Sequence, residues 1–397
     1  MISKVAVIGL GYVGLPLSVV IASKGYKVVG FDSNEIKVSA INKGISPIED
    51  LESNQLQSQV EAGNFVATTS FEDLAESDVY LICVPTPLLS GFKPDLSYVE
   101  KAAKTISRTL KPGALVILES TVEPGTSRNF LLPILERESG INSDEFYLVF
   151  SPERIDPSNK NWNIKTTPKI VAGFTQESSE LAVSFYSTFI DSVVVCHSLE
   201  AAELAKLLEN TFRFINISFI NEFSITCRKL GVDVNQVIEA AATKPYGFMP
   251  FYPSIGVGGH CIPVDPLYLS NRSASVGAPT RFIDLANSVN QETPLYFADL
   301  AREKLGVLTG KKILIIGISY KPNIADTRES PALKLIDKLK SLGAHVSWHD
   351  DLVKELREEK SVPLSDQFDL AILATLHGYV DLTELGKVPI LDTRGSI

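Results

Sequence analysis

Short apolar runs, set off by glycines and by amphipathic stretches, give the first half of the chain its rhythm. Lys4 to Gly9 reads as a buried strand, Val13 to Lys24 as a helix and Val28 to Asp32 as the next strand. Val79 to Val84, Leu115 to Glu119 and Tyr147 to Phe150 repeat the strand pattern, with a helical period from Leu96 to Leu110. Strands this apolar need cover on both faces, and their alternation with helices predicts a parallel sheet. From Ser198 to Leu230 the pattern becomes one long helix, whose apolar face is marked by Leu204, Leu207, Leu208, Phe212, Ile215 and Phe219. That helix is too apolar around its circumference for a solvated rod, so a second subunit is expected to cover part of it. Ala240 to Pro266, rich in Gly, Pro and aromatics, reads as a shaped loop. A second strand and helix series begins at Lys311 to Gly317 and continues through Ala344 to Trp348, Leu370 to Ala374 and Ile390 to Leu391.

Composition narrows the picture. A chain of 397 residues exceeds one ordinary core and predicts two or three domains. The net charge of -10 argues against a nucleic-acid or anionic-membrane partner, either of which calls for clustered Lys and Arg. The apolar start up to Ala22 is interrupted by glycines and Pro16, and elsewhere no uninterrupted apolar run reaches the roughly 18 residues of a membrane span. Cys83, Cys196, Cys227 and Cys261 are far apart, with no CxxC pair, which fits a reducing compartment and neither a disulfide framework nor a structural zinc site. A cytoplasmic protein without a metal centre is the expectation.

Candidate chemistry starts at Gly9-Leu10-Gly11-Tyr12-Val13-Gly14, a GxGxxG that follows a strand, opens a helix and has Asp32 at the end of the next strand. Gly9 permits the tight turn, Gly11 lets a pyrophosphate reach the backbone, and Gly14 lets the helix pack on the sheet, so the Tyr12 and Val13 amides face the phosphates. Asp32 would accept the adenosine ribose hydroxyls and repel a 2′-phosphate, which favours NAD over NADP. The second α/β series keeps only Gly317 of such a fingerprint and should not bind a second dinucleotide; in the loop after it, Lys321 and Arg328 suit a diphosphate, unless they are simply solvated. In Gly256-Val257-Gly258-Gly259-His260-Cys261-Ile262-Pro263-Val264-Asp265, a thiol and a carboxylate four residues apart sit in a glycine-rich loop. By itself the loop supports either a nucleophile with its base or a small apolar Cys in a turn.

Those motifs, with Val84-Pro85-Thr86-Pro87 and Ser120 to Thr126, stand in an order that resembles the UDP-glucose/GDP-mannose dehydrogenase family over essentially the whole chain. The resemblance implies an α/β architecture of two Rossmann-like, doubly wound domains joined by a helical central domain with a long helix. The corresponding boundaries are 1–196 for NAD binding, 197–300 for the central domain with the Cys loop, and 301–397 for the UDP-sugar domain. It implies oxidation of a nucleotide sugar's C6 alcohol to a carboxylate, with NAD as cofactor and a homodimer or higher homo-oligomer as the working form.

Residue by residue, the resemblance assigns catalytic roles to Cys261, Lys206, Asn210, Asp265, Glu153 and Thr121, and adds Pro85, Thr86 and Thr121 to the cofactor site. Arg154, Gly258, Lys321 and Arg328 join Glu153, Lys206 and Asn210 around the substrate. Cys261 would hold the aldehyde as a thiohemiacetal and then a thioester, Lys206 and Asn210 would stabilise the oxyanion, and Glu153 or Asp265 would act as base, with Thr121 positioning water. Lys244 to Pro253 resembles the branch acting on UDP-N-acetylhexosamines, UDP-N-acetylglucosamine above all, and no Arg occurs between Lys229 and Arg272 to match UDP-glucose enzymes. Lys244 is then the substitute cation, and Phe248, Phe251 and Tyr252 either flank the acetamido group or the uracil or serve as loop-packing residues. UDP-N-acetylmannosamine, UDP-N-acetylgalactosamine and UDP-glucose remain alternatives, and a non-catalytic NAD and UDP-sugar binder is a more distant one.

Overall fold

The computed structural model describes residues 2–48, 51–89, 91–155 and 161–395. It comprises two compact units, Met1–Leu208 and Glu209–Ile397. In the first unit lie strands β1 (Lys4–Ile8), β2 (Lys27–Phe31), β3 (Phe65–Thr68), β4 (Val79–Ile82), β5 (Leu115–Leu118), β6 (Tyr147–Phe150), β7 (Lys169–Gly173) and β8 (Val193–Val195). Helices α1 (Gly14–Ala22), α2 (Glu35–Asn42), α3 (Ser53–Glu61), α4 (Ser97–Ser107), α5 (Leu132–Ser139) and α6 (Gln176–Tyr186) alternate with them. The strands form one sheet in the order β3-β2-β1-β4-β5-β6-β7-β8. Its first six strands are parallel and follow the Rossmann order, with the direction of winding reversing between β1 and β4. Successive residues feed opposite layers: Val5 and Val7 enter one core, Ala6 and Ile8 the other.

The strands read from the sequence are parallel as expected; β7, which the pattern did not pick out, departs from them. β7 runs antiparallel to β6, with Val149 opposite Gly173 and Phe150 opposite Ala172, while β8 is parallel to β7. A parallel return needs a crossover, usually a helix, and none occurs among the described residues between β6 and β7.

Helix α7 (Leu199–Leu230) begins in the first unit and continues into the second. Its predicted apolar stripe is divided: Leu207 is buried, whereas Leu204, Leu208, Phe212 and Phe219 are exposed, and the interior is supplied instead by Phe214 and Ile220. The second unit then contains α8 (Val234–Ala242), α9 (Asp265–Ser275), α10 (Arg281–Leu305) and α11 (Pro331–Ser341). Its parallel sheet has the order β10-β9-β13-β14, from β9 (Lys312–Ile316), β10 (His345–His349), β13 (Leu370–Leu373) and β14 (Ile390–Asp392), beside a hairpin of β11 (Glu355–Leu356) and β12 (Glu359–Lys360). Among the described residues no helix is long and apolar enough to cross a membrane, and no cluster of His, Cys, Asp and Glu could hold a metal ion.

The start of α7 is tied down within the first unit. The buried Glu203 carboxylate accepts the Gly125 amide at 2.6 Å and the Ser127 amide at 2.9 Å, which fixes the Thr121–Thr126 segment to the helix turn just before Lys206. Replacing Glu203 with Ala leaves two buried donors without an acceptor, so the urea midpoint should fall with a loss of roughly 2 kcal/mol; an unchanged midpoint would show that this tie contributes nothing.

Candidate active site

At the carboxyl end of β1 the three glycines have distinct physical reasons. Gly9 has φ +95° and a Cβ there would lie 2.5 Å from the Cys83 carbonyl oxygen, while one on Gly14 would lie 1.9 Å from the Gly9 oxygen. A Cβ on Gly11 would meet nothing within 4 Å, so at that point the backbone is bare toward open space. No side chain caps the N-terminus of α1, whose Val13 is the N-cap and beside which Tyr12 is exposed. An anionic diphosphate suits that end of the helix. Asp32 accepts the Leu10 amide at 3.1 Å and the Asn34 amide at 3.0 Å, and pairs with Lys37 at 2.8 Å. The cradle fits NAD: a glycine turn, an uncapped helix end and a carboxylate just past the next strand. Lys37 escaped the sequence reading, although a Lys in the first turn of the helix after Asp32 was its signal. Exposed Pro85 and half-buried Thr86 follow β4, and Thr86 Oγ1 donates to the Thr121 carbonyl at 2.7 Å, joining two loops at this edge of the sheet.

Beyond β5 and β6 lies a cluster of charge. Glu153 Oε1 accepts the amides of Arg154 at 2.6 Å and Ile155 at 2.8 Å, and its Oε2 is 3.5 Å from Lys169 Nζ. Burial would raise the Glu153 carboxyl, but Lys169, the two amides and Lys206 outweigh it and hold it below the usual glutamate range. Arg154 donates to the Pro168 carbonyl at 2.8 Å, so part of this predicted substrate residue braces the chain leading into β7. Lys169 and Glu119 had gone unnoticed; charged residues at the ends of otherwise apolar strands were the available sign.

Within the second unit the Cys loop is fitted to protein as much as to any ligand. Gly256 has φ +135° and Gly259 φ +88°, and a Cβ on Gly258 would lie 2.7 Å from both the Glu329 carbonyl oxygen and Tyr320 Cβ. Gly259 donates its amide to the Arg328 carbonyl at 3.0 Å. These contacts seat the loop on the segment Tyr320 to Arg328. Cys261, half-buried and outside any disulfide, accepts the Asp265 amide at 2.8 Å through its carbonyl, which places it in the turn that opens α9. Asp265 is buried, and its carboxylate accepts a hydrogen bond from Asn210 Nδ2 at 2.5 Å. Lys206 and Asn210 stand one turn apart on α7, as their spacing required.

The predicted nucleotide end is more constrained than its sequence suggested. Arg328 forks onto Asp326, with Nε at 3.0 and 2.9 Å from its two oxygens, while Lys321 is half-buried. Behind the loop, buried Asp350 accepts the amides of Ile318 at 2.9 Å and Ser319 at 3.2 Å and lies 3.1 Å from His377 Nε2. Burial opposes its ionisation, yet His377 and the amides of Val353 and Ile318 hold Asp350 far below the usual range. Among the sugar contacts expected from the sequence, Lys244 lies over the exposed Tyr246 ring at 5.1 Å and Phe251 packs edge-on against Phe212 at 5.8 Å, whereas Tyr252 is exposed.

The fold and the dinucleotide cradle define an NAD-dependent oxidoreductase of the two-Rossmann type. The NAD-binding, central and UDP-binding domains of the UDP-glucose/GDP-mannose dehydrogenase family match residues 3–190, 200–292 and 314–395, and the chain belongs to this family. It is 37% identical to a UDP-N-acetyl-D-mannosamine dehydrogenase of Pyrococcus horikoshii, over 94% of this chain and 89% of that protein. It is 34% identical to a UDP-N-acetyl-D-glucosamine 6-dehydrogenase of Pseudomonas aeruginosa, over 97% and 94%. The structure of a UDP-glucose dehydrogenase from Pyrobaculum islandicum superposes with a TM-score of 0.92 at 28% identity, covering 99% of this chain and 94% of that one. Three sugars appear among three relatives, so the likeness establishes the NAD-dependent UDP-sugar dehydrogenase class and leaves the sugar open.

Asp32→Ala tests the ribose contact expected of this carboxylate. NAD affinity measured by fluorescence titration should fall roughly 10- to 100-fold, the loss of charge-assisted hydrogen bonds. Unchanged NAD affinity would remove Asp32 from the cofactor site.

Proposed function

We propose that this protein oxidises the C6 alcohol of UDP-N-acetylglucosamine to the carboxylate in two successive two-electron steps, through a covalent intermediate on Cys261. The observation that carries this reading is the Asn210 to Asp265 hydrogen bond, which joins the central helix to the helix that the Cys loop opens. Bound NAD supplies the hydride acceptor, one molecule for each step.

In the first oxidation Glu153 takes the C6 hydroxyl proton as hydride leaves the carbon. Glu153 suits this better than Asp265, because it is partly exposed while Asp265 is more deeply buried and engaged by Asn210. The Cys261 thiolate then adds to the aldehyde carbon, giving a thiohemiacetal whose oxygen carries negative charge. Lys206 and Asn210 provide a charged and an amide donor for that oxygen. Loss of the second hydride leaves a thioester; Glu153, having released its first proton to solvent, takes a proton from the water that Thr121 positions, which adds to the thioester and expels the thiolate, and the acid so formed loses its own proton to solvent, giving the carboxylate and restoring Cys261. Covalent attachment keeps the aldehyde from escaping between the two oxidations.

Two features favour an N-acetylhexosamine: the Lys244 to Pro253 stretch, and the absence of Arg between Lys229 and Arg272. Lys321 and Arg328 are assigned to the diphosphate, with Arg328 exchanging Asp326 for the ligand. The 37% identity to an N-acetylmannosamine enzyme makes the C2 epimer the second reading. Exposed Leu204, Leu208, Phe212 and Phe219 on α7 support a homodimer; the four separated, free cysteines fit a cytoplasmic enzyme, and the resemblance to UDP-N-acetylhexosamine dehydrogenases supports a role in making surface-polysaccharide precursors.

A panel of nucleotide sugars tests the assignment. UDP-N-acetylglucosamine should show the highest kcat/KM and release two NADH for each sugar consumed; a preference for another sugar overturns the substrate, and one NADH overturns the double oxidation. Cys261→Ala should abolish acid formation, and wild-type acid formation in that variant would exclude the thioester route.

A further inference from the structure

The reversed strand β7 has a chemical consequence. Because β6 and β7 are antiparallel, with Phe150 opposite Ala172, continuing the register past the last pair brings Glu153 opposite Lys169. Ser151 follows the same line, donating its hydroxyl to the Ile170 carbonyl at 2.8 Å. In a parallel sheet, the first residue of β7 would lie at the far edge, away from Glu153.

Lys169 is only 4% exposed and the reaction scheme gives it no role. Its ammonium is 2.5 Å from Glu119 Oε2 and 3.5 Å from Glu153 Oε2, and it lies over the Tyr186 ring at 5.5 Å. The other oxygen of Glu119 accepts the Tyr186 hydroxyl. One buried cation is thus clamped from behind by a carboxylate and an aromatic ring, and its remaining side faces the partly exposed Glu153. Burial opposes charge on Lys169, but Glu119 and Glu153 outweigh it and keep the ammonium protonated above the ordinary lysine range. An ion pair this deep is a costly way to gain stability, since well-packed apolar residues serve as well. Its geometry suits a different task.

We propose that Lys169, clamped by Glu119 and Tyr186, is the positioning residue that keeps the Glu153 carboxylate ionised and oriented, an inference that rests on the assignment of Glu153 as base. Glu153 is faced by Lys169 from β7, Glu119 from the end of β5, Lys206 from α7 and, further off, Cys83 from the end of β4, with Arg154 adjacent in the chain. Glu119 and the thiol of Cys83 oppose its ionisation or are neutral toward it. Lys206 belongs to the oxyanion chemistry, so Lys169, shared with Glu119, is the cation left to hold Glu153.

The test reads the Glu153 carboxyl directly. Its infrared band, identified by loss in Glu153→Gln, is titrated in wild type, Lys169→Met, Lys169→Arg and the pair variant Glu119→Gln/Lys169→Met, which leaves Glu119 without an uncompensated charge. The midpoint should rise by roughly 1 to 3 pH units in Lys169→Met and in the pair variant, the usual effect of removing an adjacent opposite charge. The acid limb of kcat/KM should rise with it, whereas KM for NAD stays in place and Lys169→Arg restores both midpoints. An unshifted Glu153 midpoint in either variant overturns the inference. If neither variant folds, Glu119→Gln alone decides: it keeps the ammonium, so Glu153 should titrate at or below its wild-type midpoint, and a rise overturns the proposal. The base assignment is judged apart from this, since wild-type turnover in Glu153→Gln overturns it whatever the carboxyl titration shows.

Discussion

Parallel strands all present their carboxyl ends at one edge, and this constraint organises the chemistry of the first unit. β1 ends at the glycine turn, β2 at Asp32, β4 at Cys83 and the Pro85-Thr86 loop, β5 at Glu119 and Thr121, and β6 at Glu153. Residues far apart in sequence meet because hydrogen-bonded register aligns these ends within a few residues of each other. The sheet interior needs no polar residue for this. Its strands are apolar on both faces, so rigidity comes from packing and function from the residues just past each strand's carboxyl end.

The antiparallel strand adds what a parallel sheet lacks: a residue from the beginning of a strand at the functional edge. Lys169 arrives there, and the edge acquires a buried cation beside two carboxylates. In the opposite direction the chain enters α7, where Glu203 holds the Thr121–Thr126 segment one turn before Lys206. Positive charge therefore reaches Glu153 from two separate elements, which adds to the two amides of its own turn in favouring the ionised form.

In the second unit, close approach takes the place of charge. The glycines of the Cys loop are required because Tyr320, Glu329 and Pro331 occupy the space a Cβ would need. Cys261 and the loop carrying Lys321 and Arg328 are consequently parts of one packed body. Asp350 plays there the part Asp32 plays in the first unit, accepting the amides after the first strand, but it is closed in by His377 where Asp32 remains near the surface. One glycine and a covered carboxylate explain why a related sheet does not repeat the dinucleotide cradle.

Much of this was legible in the sequence because it depends on short-range rules. The GxGxxG turn needs positive φ and a bare backbone at fixed spacing, Lys206 and Asn210 share a helix face by being four apart, and apolar runs announce the strands. The long helix was legible too, though which part of its apolar surface is buried was not: Phe214 lies inside while Phe212 and Leu208 lie outside, since burial depends on what packs against the helix. The direction of β7 was equally hidden, because five residues read alike as parallel or antiparallel. The sequence by itself determined the local geometry and the types of reactive group this protein carries. Only tertiary structure decided which distant charges meet, because a cross-strand register and a low-dielectric interior exist only once the sheet has formed, and they place Lys169 beside Glu153.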